Sequence, residues 1–162
     1  MHTSDVTDRD WGRRSFSPFA KTVLTAVIEA FFSDEDPDKG TVPARPDFVA
    51  RVLDDFDLYI GACSPDLRRG FGLLVFAVEF LPLFVIGTFG RASRLPLGRR
   101  IAYLQALEAE RRGLLTMLFV GLKLPLTMIA YEIGPELRAT GFDRPSLGSR
   151  RQLPLARSGG AS

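Results

Sequence analysis

The chain has 162 residues, enough for one domain that hides about two-thirds of its unfolded surface. Its 46% hydrophobic and 25% charged residues are ordinary for a globular protein, and 21 basic residues face 19 acidic ones. So small an excess of charge gives no footprint for nucleic acid, although the pI is 9.0. Only Lys21, Lys39 and Lys123 are lysines, and the arginine bias reads as a property of a GC-rich genome. With a single cysteine, Cys63, and a single histidine, His2, an internal disulfide, a zinc site of the usual kind and a histidine-activated nucleophile all lack their residues.

Residues 1–17 are polar and without period, and read as a fraying tail. Gly12-Arg13-Arg14-Ser15-Phe16 has the look of a twin-arginine export signal. The next stretch holds Pro18, Lys21 and Glu29 and is amphipathic, which argues against export. From Phe19 the apolar residues recur as Phe19, Val23, Val27 and Phe31, with Leu24, Ile28 and Phe32 beside them: a helix with one apolar face. The run Ser33 to Gly40 ends it and reads as a solvated acidic loop without the spacing of a calcium loop.

Pro46-Asp47 opens a second helix, with Asp47 as its expected cap. Phe48, Val49, Val52, Leu53, Phe56, Tyr59 and Ile60 form its apolar face, and Arg51, Asp54, Asp55 and Asp57 are expected on the solvated one. Ser64-Pro65-Asp66 is a helix start: a capping residue, a proline at the first helical position and an acid in the first turn. That third helix runs into FGLLVFAVEFLPLFVIGTFG, residues 71–90, where Pro82 is expected to kink or end it. An arginine-dense turn comes next, then a fourth helix over roughly 97–110 and a fifth through 114–130. No strand-like alternation of useful length is present. The expected architecture is all-α: a single bundle of five or six helices over 18–145, with disordered tails at 1–17 and 146–162.

Residues 71–90 are long enough to span a bilayer. Thirteen Leu, Ile, Val and Phe residues favour insertion by about 5 kcal/mol in total, while Glu79 costs about 3 kcal/mol and Pro82 and three glycines cost more, so the sum lies near zero. Lys123 and Pro125 interrupt 114–130 in the same way. If the two helices pack antiparallel, Glu79 and Lys123 can meet, which would spare each a lone buried charge; the alternative is that both reach water from helix edges. Thirteen phenylalanines are many for so small a domain, and surplus apolar surface on a helical protein marks an interface. The candidate interface, with protein or lipid, is Phe76, Phe80, Leu83, Phe84 and Phe89 together with Leu118, Phe119 and Leu122. Arg91, Arg94, Arg99 and Arg100 are its candidate rim, suited to a protein edge or to lipid phosphates.

KTVLTAVIEAFFSDEDP (21–37), FVARVLDDFDLYI (48–60) and FGRASRLPLGRRIAYLQALEAERRGLLTMLFVGLK (89–123) carry a family resemblance over about residues 19–145. The chain resembles the small helical third subunit of gluconate 2-dehydrogenase and the helical segment that precedes the flavin domain of long-chain alcohol oxidases. The resemblance implies a non-catalytic subunit, itself without cofactor, that stabilises or localises a large FAD-dependent partner of the glucose–methanol–choline type. The lack of a convincing export signal departs from the family's secreted accessory subunits, so the expected location is cytoplasmic or at the membrane, peripheral or integral. The alternative is a membrane-associated helical scaffold without a flavoprotein partner. An enzyme would have to draw on Asp54/Asp55, Glu108/Glu110 and the tyrosines Tyr59, Tyr103 and Tyr131, none of which is backed by a second catalytic element or a phosphate-binding loop.

Overall fold

A computed structural model describes residues 14–109 and 113–132. The chain divides into two compact units, 1–129 and 130–162. The bundle belongs to the first, and of the second only the end of the last helix is described. Among the described residues six α-helices carry the fold: α1 (Pro18–Phe31), α2 (Pro46–Ala62), α3 (Pro65–Phe80), α4 (Pro82–Ile86), α5 (Leu97–Ala109) and α6 (Leu114–Glu132). The all-α reading therefore holds.

The helix starts obey local rules. Ser17 accepts the Ala20 amide at 3.2 Å and Ser64 the Leu67 amide at 3.3 Å, each with proline at the next position. At α2 the expected cap is corrected. The N-cap is Arg45, which makes no side-chain capping bond, and Asp47 lies inside the first turn, where its charge still favours the positive end of the helix. Pro82 stops α3 at Phe80 and begins α4, because a proline suits a first turn and has no amide to continue an old one. Gly87, with φ 62°, closes α4 in the left-handed conformation.

The acidic loop is a correction. Asp34–Asp36 and Gly40–Val42 form an antiparallel hairpin, with Asp34 opposite Val42 and Asp36 opposite Gly40. Asp36 Oδ1 accepts the amides of Asp38 (2.9 Å) and Lys39 (3.1 Å), and Gly40 takes a positive φ of 72°. Three-residue strands are too short to show alternation, so the turn chemistry was their only signal.

Helix α1 is central. It packs on α2, α3, α5 and the 3-10 turn Ala92–Arg94, and Val23, Leu24, Val27 and Ile28 are fully buried. Each such side chain contributes about 1.5–3 kcal/mol on burial. Around them lie Val52 and Phe56 of α2, Val75 and Val78 of α3, Leu107 of α5, and Leu122 and Leu126 of α6.

Two further expectations fail at the N-terminus. Residues 14–17, assigned to a fraying tail, are held down, and Asp57, assigned to a solvated face, is 1% exposed. Asp57 Oδ1 accepts the amides of Ser15 (2.6 Å) and Phe16 (2.8 Å), while Lys21 Nζ lies 3.2 Å from Oδ2. Next to it Arg14 forks onto the Asp54 carboxylate. Phe16 then seats its ring between Phe56, edge-on at 5.4 Å, and Phe71, stacked at 5.7 Å. Residues 1–13, 110–112 and 133–162, including the C-terminal tail read from the sequence, lie outside the described residues.

Burial alone pushes the Asp57 pKa up, but the Phe16 and Ser15 amides and the Lys21 ammonium outweigh it, and the carboxyl titrates below the ordinary Asp value. A depressed folded-state pKa gives stability that is complete above the unfolded value, about 3.9, and is lost as pH falls through the lower folded value. Asp57→Ala strands two amides and a lysine, and is expected to cost about 3 kcal/mol, roughly 10 °C in Tm near neutral pH. In thermal melts the gap between the parent protein and Asp57→Ala should stay constant down to about pH 5 and close below about pH 4. A gap that widens in acid would contradict the assignment.

Candidate interaction surface

The outer face of α3 carries apolar residues that the core does not use. Leu73, Phe76 and Phe80 recur at helical spacing and are 72%, 55% and 38% exposed. Phe76 and Phe80 touch, with ring centroids 4.7 Å apart. Phe19, from the first turn of α1, completes the cluster at 6.4 Å from Phe76 and 6.5 Å from Phe80. Beyond the break at Pro82 the exposed rings continue with Phe84 on α4 and Phe89 in the loop after it. The Arg91 guanidinium stands 5.5 Å above the Phe80 ring, which gives the cluster one charged border.

What fixes this border is internal. Glu79, one residue before Phe80, points the opposite way and is 1% exposed. Its Oε2 accepts the Ser93 amide at 2.9 Å and its Oε1 the Ser93 hydroxyl at 2.6 Å. The carboxylate thereby caps the 3-10 turn Ala92–Arg94 and ties the loop after α4 back onto the end of α3. Arg91, two residues before Ser93, is delivered over Phe80 by this tie. Beside it the Tyr103 hydroxyl donates to the Val78 carbonyl at 2.7 Å, and burial together with the Glu79 charge raises the Tyr103 pKa, so the phenol stays protonated.

The Glu79–Lys123 pair expected from the sequence is corrected: each side chain has another partner. Lys123 Nζ lies 2.7 Å from Glu108 Oε1 and sits over the rings of Phe119 (5.3 Å) and Phe31 (5.7 Å). An exposed helix-edge lysine finds an acid on α5 more cheaply than one in the core, whereas Glu79 needs donors that are already dehydrated.

The other candidates divide. Phe76, Phe80, Phe84 and Phe89 are exposed, while Leu83 and Leu118 are half-buried. Phe119 and Leu122 belong to the core at 2% and 1% exposure, and Phe119 stacks on Phe31 at 5.4 Å. On α6 the free apolar residues are instead Met117, Val120, Leu124 and Met128, on the opposite stripe of the same helix. Apolar residues occupy both stripes of the helix, so its composition did not mark which face turns inward. Among the rim arginines, Arg91, Arg94 and Arg99 are exposed to different degrees, but Arg100 is internal. Its guanidinium donates to the Ala26 carbonyl (2.8 Å), Glu29 Oε2 (2.9 Å) and the Leu95 carbonyl (3.0 Å), joining α5 to α1.

No helix among the described residues is long and apolar enough to cross a membrane. Among the same residues no group of three or more His, Cys, Asp or Glu side chains is placed to hold a metal ion. Asp54 pairs with Arg14, Glu108 with Lys123, and the Tyr103 hydroxyl donates to the Val78 carbonyl. No protein-family model, curated protein or solved structure matches the chain.

Glu79→Ala leaves the Ser93 amide without its acceptor and is expected to cost about 2–3 kcal/mol, against about 1 kcal/mol for Ser93→Ala. Because both changes remove the same contact, the double variant should fall short of additivity by about 1 kcal/mol in denaturant melts. Glu79→Ala and Lys123→Met, by contrast, should add without coupling.

Proposed function

We propose that this chain is a non-catalytic helical accessory subunit. It docks a large FAD-dependent alcohol or sugar dehydrogenase or oxidase of the glucose–methanol–choline type, and stabilises or localises it. The observation that carries the reading is the cluster of Phe19, Phe76 and Phe80 bordered by Arg91. Phenylalanines and arginines are the residues enriched where proteins meet, and rings that are 38–55% exposed gain about half of the roughly 1.5–3 kcal/mol of full burial when a partner covers them. The class of partner comes from the resemblance in 21–37, 48–60 and 89–123. Those segments are α1 with the first strand of the hairpin, the greater part of α2, and the stretch from Phe89 through α5 into α6. The last of them includes Phe89 and Arg91 of the face itself.

The test is capture of the tagged chain from the cells that make it, then assay of the eluate for FAD released on heating. An FAD-bearing flavoprotein in near-stoichiometric amount is the expected outcome. Phe84→Ser/Phe89→Ser changes two side chains that are 81% and 89% exposed, so it should leave Tm within about 1–2 °C while releasing the flavoprotein. An eluate free of FAD, from a chain that is monomeric and well folded in plain buffer, would overturn the reading. Vesicle binding by such a chain would favour the membrane-associated scaffold in its place.

A further inference from the structure

On another part of α3, between that helix and the strap 14–17, lies a cavity of about 440 Å³. Small-molecule sites are typically about 300–1,000 Å³. Its inner wall is apolar, formed by Phe16, Phe71 and Val75, and its border carries the exposed Arg14 and Arg69 and the half-buried Arg68. Arg68, Gly72 and Val75 share one face of α3, and the place where a Cβ of Gly72 would stand is open.

The charges around the cavity do not cancel. Arg14 is matched by Asp54, Lys21 by Asp57, and Arg69 by Asp66 at 3.2 Å. Arg68 is held by a neutral group, the Gly61 carbonyl, at 2.9 Å. Of the three arginines that line the cavity, Arg14 and Arg69 each face a carboxylate and Arg68 a carbonyl, and the first turn of α3 adds its own positive end. An arginine already fixed by a carbonyl loses little freedom on taking an anion, and its remaining N–H groups are suited to phosphate or carboxylate oxygens.

We propose that this cavity binds a single-chain anionic amphiphile, with its tail against Phe16, Phe71 and Val75 and its phosphate or carboxylate head on Arg68 and Arg69. A purely apolar ligand would leave the arginine border unused, and a bare anion would make no use of the apolar wall. The site uses none of the residues of the docking face and stands whether or not a flavoprotein is the partner.

The test is calorimetric titration of the full chain with dodecyl phosphate below the concentration at which it forms micelles, beside inorganic phosphate. Saturation at one dodecyl phosphate per chain is expected, with inorganic phosphate at least a hundredfold weaker. Arg69→Glu, which gives up an exposed ion pair with Asp66 one turn away, should weaken binding about tenfold or more. Gly72→Leu, which fills the cavity from a helix position with free space, should weaken it as much while slightly raising Tm. Equal affinity for inorganic phosphate, binding without saturation, or affinity unchanged in both variants would each overturn the proposal.

Discussion

A carboxylate taken out of water must be met by donors, and that constraint organises the parts of this fold that are not helix. Asp57 and Glu79 are the two buried acids among the described residues. Each lies on a helix, and each gathers the backbone of a segment that has no regular partners of its own. Asp57 draws in the amides of Ser15 and Phe16, which sets where α1 begins. Glu79 draws in the amide and hydroxyl of Ser93, which sets the path between α4 and α5. Left without those donors, either charge would cost several kcal/mol, so the irregular segments are as firmly specified as the helices they join.

The outward face inherits this arrangement. Phe80 is adjacent in sequence to Glu79 but points into solvent, and the loop that Glu79 secures carries Arg91 back over the Phe80 ring. On the α1 side, the strap that Asp57 secures leads directly into Ser17 and Pro18, the cap that starts α1 one residue before Phe19. The exposed rings are therefore presented by a framework whose order comes from inside. A surface preorganised in this way loses little conformational entropy when it is covered, which suits docking better than a mobile apolar loop would.

Arg100 and Tyr103 extend the same logic. Both could be read as surface chemistry, an interface arginine and a proton donor. In the fold both turn their polar groups inward: Arg100 to the Ala26 and Leu95 carbonyls and the Glu29 carboxylate, Tyr103 to the Val78 carbonyl. Those carbonyls lie on α1, on α3 and in the segment leading into α5, so these two side chains brace the centre of the bundle.

Much was legible in the order of residues alone. The 3.6-residue recurrence of Val23, Val27 and Phe31, the Ser-Pro-Asp start at 64–66 and the stop at Pro82 all come from local geometry and a single period. What the sequence did not disclose depends on partners far along the chain. Asp57 meets residues 41 and 42 positions away and Glu79 meets one 14 positions away, and neither distance leaves a periodic trace. Helix α6 shows the same limit in apolar terms: Phe119 and Met117 are equally fit for a core, yet Phe119, stacked on Phe31, is buried and Met117 is left out. Local sequence thus determined which segments coil and where they break; tertiary structure alone decided which charges and which rings go inside, because burial is a property of neighbours that fold into place.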